Sequence, residues 1–331
     1  MIWLLATPGR DTLTVMFWNV ENFFDWRNDS TTVSDGEFSP AGERHWTWKR
    51  FQAKANAFAK ALFWVEGETG RLPDIVGLEE VENAFVLRQV LQKTALRKTD
   101  YKYVHYDSPD RRGIDVALLY RSSRLELLES KPCHLYAADT VMASRDILLC
   151  VFRKMADQVG HDDSYARFAV LVNHHPSKYG GVAESEPQRR IAVERLRDLA
   201  DSLEAVGIDR IIAGGDFNDT PANPVFRLLA PVLVPLHMDL SDVDREPSNT
   251  TASGNSLIIS MYRHLGTACH PYLQPATNPP CASSAFHFSS PEIRSIQGRN
   301  PSALIPVPVI PAAFPTICRS CWRSYVPLDA E

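Results

Sequence analysis

Asp216 and Asn218 stand two residues apart in Gly214-Gly215-Asp216-Phe217-Asn218-Asp219, directly behind the apolar run Ile211-Ile212-Ala213. A carboxylate placed at a strand end can orient or deprotonate water. An amide beside it can donate to a phosphoryl oxygen and also accept. Asp and Asn are common turn residues too, so the hexapeptide alone is also readable as a plain turn. Four further polar groups sit at the ends of apolar, strand-like runs. Val15–Trp18 leads into Asn19, Glu21 and Asn22, and Asp74–Leu78 leads into Glu79, Glu80 and Glu82. Arg112, Gly113 and Asp115 open the run Val116–Tyr120, and Phe168–Val172 leads into Asn173, His174, His175 and Ser177. Any one of these is readable as a capped strand end; five in one chain point to convergence on a site.

The elements that must carry them follow from apolar spacing. The short runs read as buried strands, and Gly214-Gly215 reads as a sharp turn at the end of its strand. Residues 46–64 and 83–98 carry apolar residues at helical spacing. In 185–205 Ala192, Leu196, Leu199 and Leu203 line one helix face, with Ser185 expected as the cap and Pro187 in the first turn. Arg189, Arg190, Arg195 and Arg197 read as the solvated face of that helix. Periodicity alone yields mixed α/β and no more.

The chain has 331 residues, enough for one large domain or two small ones, and at 44% hydrophobic it can bury a core. Its formal net charge of −5 carries no global basic footprint of the kind a tight nonspecific nucleic-acid binder shows. No apolar run approaches the ~20 residues of a membrane helix, so no membrane span is expected. Met1–Ala6 is apolar but shorter than a signal core and without a basic flank, and the sequence leaves location open. Cys318 and Cys321 form a lone CxxC with no second pair, which makes zinc or redox chemistry a poor expectation.

In this order, FWNVENFFD, DIVGLEEVEN, RGIDVALLYR, VNHHPSKYGG and IIAGGDFNDTP resemble the endonuclease/exonuclease/phosphatase superfamily, the deoxyribonuclease I-like fold. The resemblance implies a four-layered α/β/β/α sandwich and a metal-dependent phosphoesterase or nuclease. It makes Glu80 the ligand of Mg²⁺, or of Mn²⁺, with Asn19 supporting the metal or its water. It makes His174 the phosphate-facing histidine, Asp216 the residue that orients or deprotonates water, and Asn218 the amide that holds the transition-state phosphate. Arg112 and Asp115 are expected to pair and position the substrate or the site, and Ser177 and Lys178 to touch phosphate. Glu79 occupies a position usually uncharged in the family and is expected to back the site or to be exposed. The implied partner is a phosphate ester, nucleic acid included, and the implied state is a monomer.

The family also closes on a Ser-Asp-His motif, which this sequence lacks. Residues 259–331 hold 11 of the chain's 23 prolines and only three acidic residues, Glu292, Asp329 and Glu331, a composition that resists a compact core. One permitted set of codons for Ile310–Ser320, read from the third base of the first codon, translates as TGGFSDHLPV, which resembles that closing motif. We therefore read residues 1–258 as the family domain without its last strands and 259–331 as an out-of-frame, disordered tail. The break is placed near Asn255–Ile258, which resembles the family's W-x-x-I-D segment up to the isoleucine. The competing function class is an inactive, phosphate-binding remnant.

Overall fold

Side-chain alternation along β1 (Val15–Phe23) sets up two cores at once. Val15 and Phe17 point to one side and Met16 to the other, and all three are buried. The computed structural model describes residues 13–28, 34, 36–155, 167–178, 181–220, 223–230, 232–235 and 257–261. In the first sheet β1 pairs in parallel with β2 (Ile75–Val81), and β4 (Asp115–Arg121) and β3 (Tyr101–His105) follow antiparallel, in the order β1-β2-β4-β3.

The second sheet contains β5 (Leu125–Cys133), β8 (Ile147–Lys154), β9 (Arg167–His174), β10 (Ile211–Asp216), β11 (Val234–Pro235) and β12 (Leu257–Met261). Its order is β11-β12-β10-β9-β8-β5, parallel from β11 to β9 and antiparallel beyond. A small hairpin, β6 (Tyr136–Ala137) with β7 (Thr140–Val141), lies between β5 and β8 in sequence.

Three apolar clusters separate four layers. Between the sheets, Val15, Phe17, Ile75 and Leu118 meet Leu148, Cys150, Phe152, Val170 and Val172. Outside the first sheet, Met16, Val76 and Leu78 meet Phe51, Phe58 and Leu62 of α1 (Trp48–Thr69) and Val86, Leu87 and Val90 of α2 (Ala84–Lys93). Outside the second, Leu149, Leu171 and Ala213 meet Ala192, Leu196 and Leu203 of α3 (Val182–Ala205). This is the α/β/β/α sandwich that the resemblance implied.

Phe17 sits at the middle of the sandwich with 0% exposure. A Cβ at Gly77 on β2, or at Gly214 on β10, would strike its ring. Gly214 is therefore a space-making residue inside a strand, not part of a turn; only Gly215, at φ +131°, uses the freedom of glycine.

Two local expectations are corrected. α3 begins at Val182, with Gly181 as its cap, so Ser185 lies inside the helix and bonds the Gly181 carbonyl; Pro187 also falls inside. β12 runs to Met261, past the boundary drawn at 258, because a strand paired in parallel between β10 and β11 uses backbone groups that any residue supplies. The remainder of the proposed tail, 262–331, lies outside the described residues.

Candidate active site

β1, β2, β9 and β10 all run toward the same end of the sandwich, and antiparallel β4 starts there. That direction gathers the five polar groups. Asp216 and His174 end β10 and β9 as register partners, and Asn19 on β1 stands in register with Glu79 on β2. A bulge follows: the β2 register slips between Glu79 and Val81, and Glu80 adopts φ 64°. Among the described residues six non-glycine positions have positive φ, and four of them, Glu21, Asn22, Glu80 and Asn218, belong to these strand ends. Each costs about 1–3 kcal/mol and persists only where surrounding structure enforces it, a pattern that gathers at functional sites.

One amide joins the two sheets. Asn19 Nδ2 donates to Asp216 Oδ2 at 2.9 Å and to Glu80 Oε1 at 3.2 Å. Its own Oδ1 accepts from Glu21 N at 2.9 Å, which fixes the orientation of the amide. Asn22 N donates to Glu80 Oε2 at 2.8 Å. Asn218 N donates to Asp216 Oδ1 at 2.9 Å, and Asn218 Nδ2 to the His175 carbonyl at 2.9 Å. Glu80 and Asp216 are each about 2% exposed or less. Two buried carboxylates aimed at one nitrogen make a hard, all-oxygen donor set, which fits a divalent cation of the Mg²⁺ type.

Glu79 is not exposed. It is fully buried and shares a face with Val116, its cross-strand partner in the core between the sheets. Burial, and then the Asp216 carboxylate, push its pKa well above the usual range, favouring the protonated acid. His174 is buried beside Asp216. His175 packs its ring edge-to-face on Phe217 at 4.7 Å, and burial, with the Arg145 guanidinium next, lowers its pKa to about 3. It is a neutral packing residue whose carbonyl accepts from Arg145 Nη2 at 2.8 Å.

Arg112 and Asp115 do not pair. Gly113, at φ +70°, turns the chain between them. Arg112 Nη2 reaches Asn22 Oδ1 at 2.6 Å, on the site's own turn. Asp115 is buried, accepts from Ser108 N at 3.0 Å and from Ser108 Oγ, and faces His105 Nε2 at 3.2 Å. Burial raises its pKa, partly offset by His105 and Ser108. It anchors the base of the loop that carries Arg112. Asp107 joins His105 and Asp115 as the one group of three potential ligand residues found close together among the described residues, on the β3–β4 side of the first sheet.

Lys178 Nζ donates to Asp219 Oδ1 at 2.8 Å, next to Asn218, and Ser177 is half-buried beside it. Arg189 is no solvated residue: 2% exposed, it donates from Nε to Asp219 Oδ2 at 3.1 Å and from Nη1 to Ser185 Oγ at 2.6 Å. Its spacing from Ser185, Ala192 and Val193 places it on the buried stripe of α3, a signal present in the sequence. Arg145 and Lys54 also reach these strand ends, although neither belongs to the five polar blocks. Arg145 lies directly before the strand-like run of β8, the same arrangement that marks Arg112 and Asp115 before β4.

No curated protein matches the chain. Among solved structures, the human Nocturnin catalytic domain with bound sulfate is 20% identical over 65% of this chain and 68% of its own, with a TM-score of 0.41. Bacteroides thetaiotaomicron mannosyl-6-phosphatase Bt3783 is 16% identical over 66% and 70%, at 0.44. TDP2 from C. elegans is 17% identical over 62% of this chain and 48% of its own, at 0.39. The model of the Endonuclease/Exonuclease/phosphatase family matches residues 14–232, well over half the sequence and all five polar blocks. On that match, the chain belongs to the endonuclease/exonuclease/phosphatase family of phosphoric ester hydrolases.

Proposed function

We propose that these strand ends form a divalent-cation-dependent phosphoesterase centre acting on a phosphodiester or phosphomonoester. The observation that carries it is the single Asn19 amide shared by Glu80 and Asp216 across the sandwich. Glu80 would hold Mg²⁺ or Mn²⁺, with Asn19 fixing its carboxylate. The cation would supply neutralisation of phosphate charge. Asp216 orients and deprotonates the attacking water, and the Asn218 backbone N–H holds its carboxylate for that task. The second proton of the Asn218 amide remains for a nonbridging phosphate oxygen, because one is spent on the His175 carbonyl. His174 donates to a second phosphate oxygen. Arg112, exposed and held by Asn22, offers a permanent cation to the incoming anion, and Lys178 a second one beside Asn218. The net charge of −5 favours a compact phosphate ester over a long nucleic-acid footprint.

One observation favours a second reading for the chain as written. It contains no Asp-His dipeptide, so the proton-sharing pair expected on the nucleophile side is missing. A phosphate-binding remnant would result, and restoring the frame of the C-terminal region would return the pair. The test compares the chain as written with a frame-restored chain on a generic nitrophenyl phosphodiester. The restored chain should turn over with Mg²⁺ or Mn²⁺ and stop with chelator, and the chain as written should be slower by about 10²–10⁴-fold. Full activity in chelator would overturn the metal reading, and equal activity of the two chains would overturn the missing-pair reading.

A further inference from the structure

Lysines on amphipathic helices ordinarily send the ammonium out to water and lay the stem on the apolar surface. Lys54 on α1 does the reverse. Its Nζ donates to the backbone carbonyls of Glu21 and Asn22, the latter at 3.3 Å, under the rings of Phe23 at 5.1 Å and Trp46 at 5.7 Å. These two carbonyls belong to consecutive non-glycine residues in left-handed backbone, at φ 54° and 55°. A turn of that kind needs an external hold. The N–H of the same Asn22 donates to Glu80 Oε2 at 2.8 Å, and the Asn22 side chain receives Arg112 at 2.6 Å.

We propose that Lys54 is a positioning residue of the site: its ammonium clamps the Glu21-Asn22 turn, and the clamped turn aims Glu80 and presents Arg112. This deepens the phosphoesterase reading and rests on it for the meaning of Glu80, though the clamp itself stands on geometry. Burial lowers the Lys54 pKa to about 8, with Glu21 and then Glu80 pulling it back up, so the ammonium remains mostly charged near neutral pH. A charged donor held among carbonyls and aromatic faces is a stronger clamp than a neutral one.

The test is amide hydrogen exchange by NMR on the metal-free full chain, for wild type, Lys54→Met and Lys54→Arg. Asn22 N–H reports its bond to Glu80, and Phe17 N–H, in the middle of β1, reports the fold. Lys54→Met should speed Asn22 exchange about tenfold with Phe17 unchanged, the loss of roughly one charged hydrogen bond. Lys54→Arg, which keeps a cationic donor, should preserve protection. Mn²⁺ affinity should fall about tenfold in Lys54→Met, the lower end of the effect of removing a residue that orients a ligand. Unchanged Asn22 exchange in Lys54→Met overturns the clamp. Lost protection with unchanged Mn²⁺ affinity overturns the link from turn to Glu80. Wild type that binds no Mn²⁺ refutes the metal reading instead, and Asn22 exchange then decides the clamp alone. If Lys54→Met also loses Phe17 protection, Lys54→Gln is the variant read in its place, by the same two outcomes.

Discussion

Asn19 Nδ2 lies 2.9 Å from Asp216 Oδ2, a hydrogen bond from the first sheet to the second. The same nitrogen reaches Glu80, so one side chain sets the spacing of the two carboxylates. Asn19→Ala would leave two buried carboxylates facing each other without their shared donor. The expected cost is about 1–3 kcal/mol of stability in urea melts without metal, together with about 10–100-fold weaker Mn²⁺ binding. Asn19→Asp, which adds a third carboxylate, should be worse for stability and should regain stability as Mn²⁺ is added.

Gly214→Ala should cost about 1–3 kcal/mol by forcing its methyl against Phe17. Phe17→Leu, placed in the Gly214→Ala background, should recover part of that loss, because the two positions share one volume. Simple additivity of the two substitutions in chemical denaturation would contradict the contact.

Arg189 and Asp219 form a buried ion pair, at 2% and 4% side-chain exposure. Arg189→Met should cost about 1–3 kcal/mol, since Asp219 loses one buried charged partner but keeps Lys178, the Thr220 N–H and Asn223. Lys178→Met, at the more exposed partner, should cost about 1 kcal/mol or less. Burial works to raise the Asp219 pKa, but Lys178, Thr220 N–H and Asn223 more than offset it and leave it lowered from 3.8. A lowered carboxylate stabilises the fold above its unfolded pKa and loses that contribution as pH falls through the folded one. This part of the acid sensitivity should therefore begin near pH 3.8 and disappear in Asp219→Asn.

His175 gives a second pH window of the same sign. Its folded pKa lies near 3, against 6.5 for a free imidazole. The unfolded chain binds the extra proton below pH 6.5, so stability falls with pH between about 6.5 and 3, by up to about 1.4 kcal/mol per pH unit, and is flat above. His175→Phe, packed on Phe217, should flatten that slope in urea melts repeated across pH.

The strands and their polar ends are legible because four blocks switch from an apolar run to polar residues where a strand ends, and the fifth, Arg112–Asp115, opens antiparallel β4. Glu80 was assigned by resemblance, and strand period two alone would not have placed it: the bulge after Glu79 breaks the alternation. The Arg112–Asp115 pairing failed on Gly113, whose left-handed backbone sends the two apart. For Arg189 charge and spacing point opposite ways, and spacing decides: its neighbours Ser185, Ala192 and Val193 are all buried. Lys54 was hidden for a related reason, since it lies three residues after Phe51 and four before Phe58, on the border of the apolar stripe of α1. What no spacing in the sequence could show is the Glu21-Asn22 turn, which exists only against Lys54, Glu80 and Arg112.

The central claim is that Glu80 holds one divalent cation at these strand ends. Titration of the full chain with Mn²⁺, followed by electron paramagnetic resonance, tests it directly in wild type and in Glu80→Gln. The account predicts one bound ion in wild type, displaced by Mg²⁺, and binding weakened by at least about tenfold in Glu80→Gln, because a neutral amide is a poor ligand for a hard dication. Equal Mn²⁺ binding by the two proteins would contradict it.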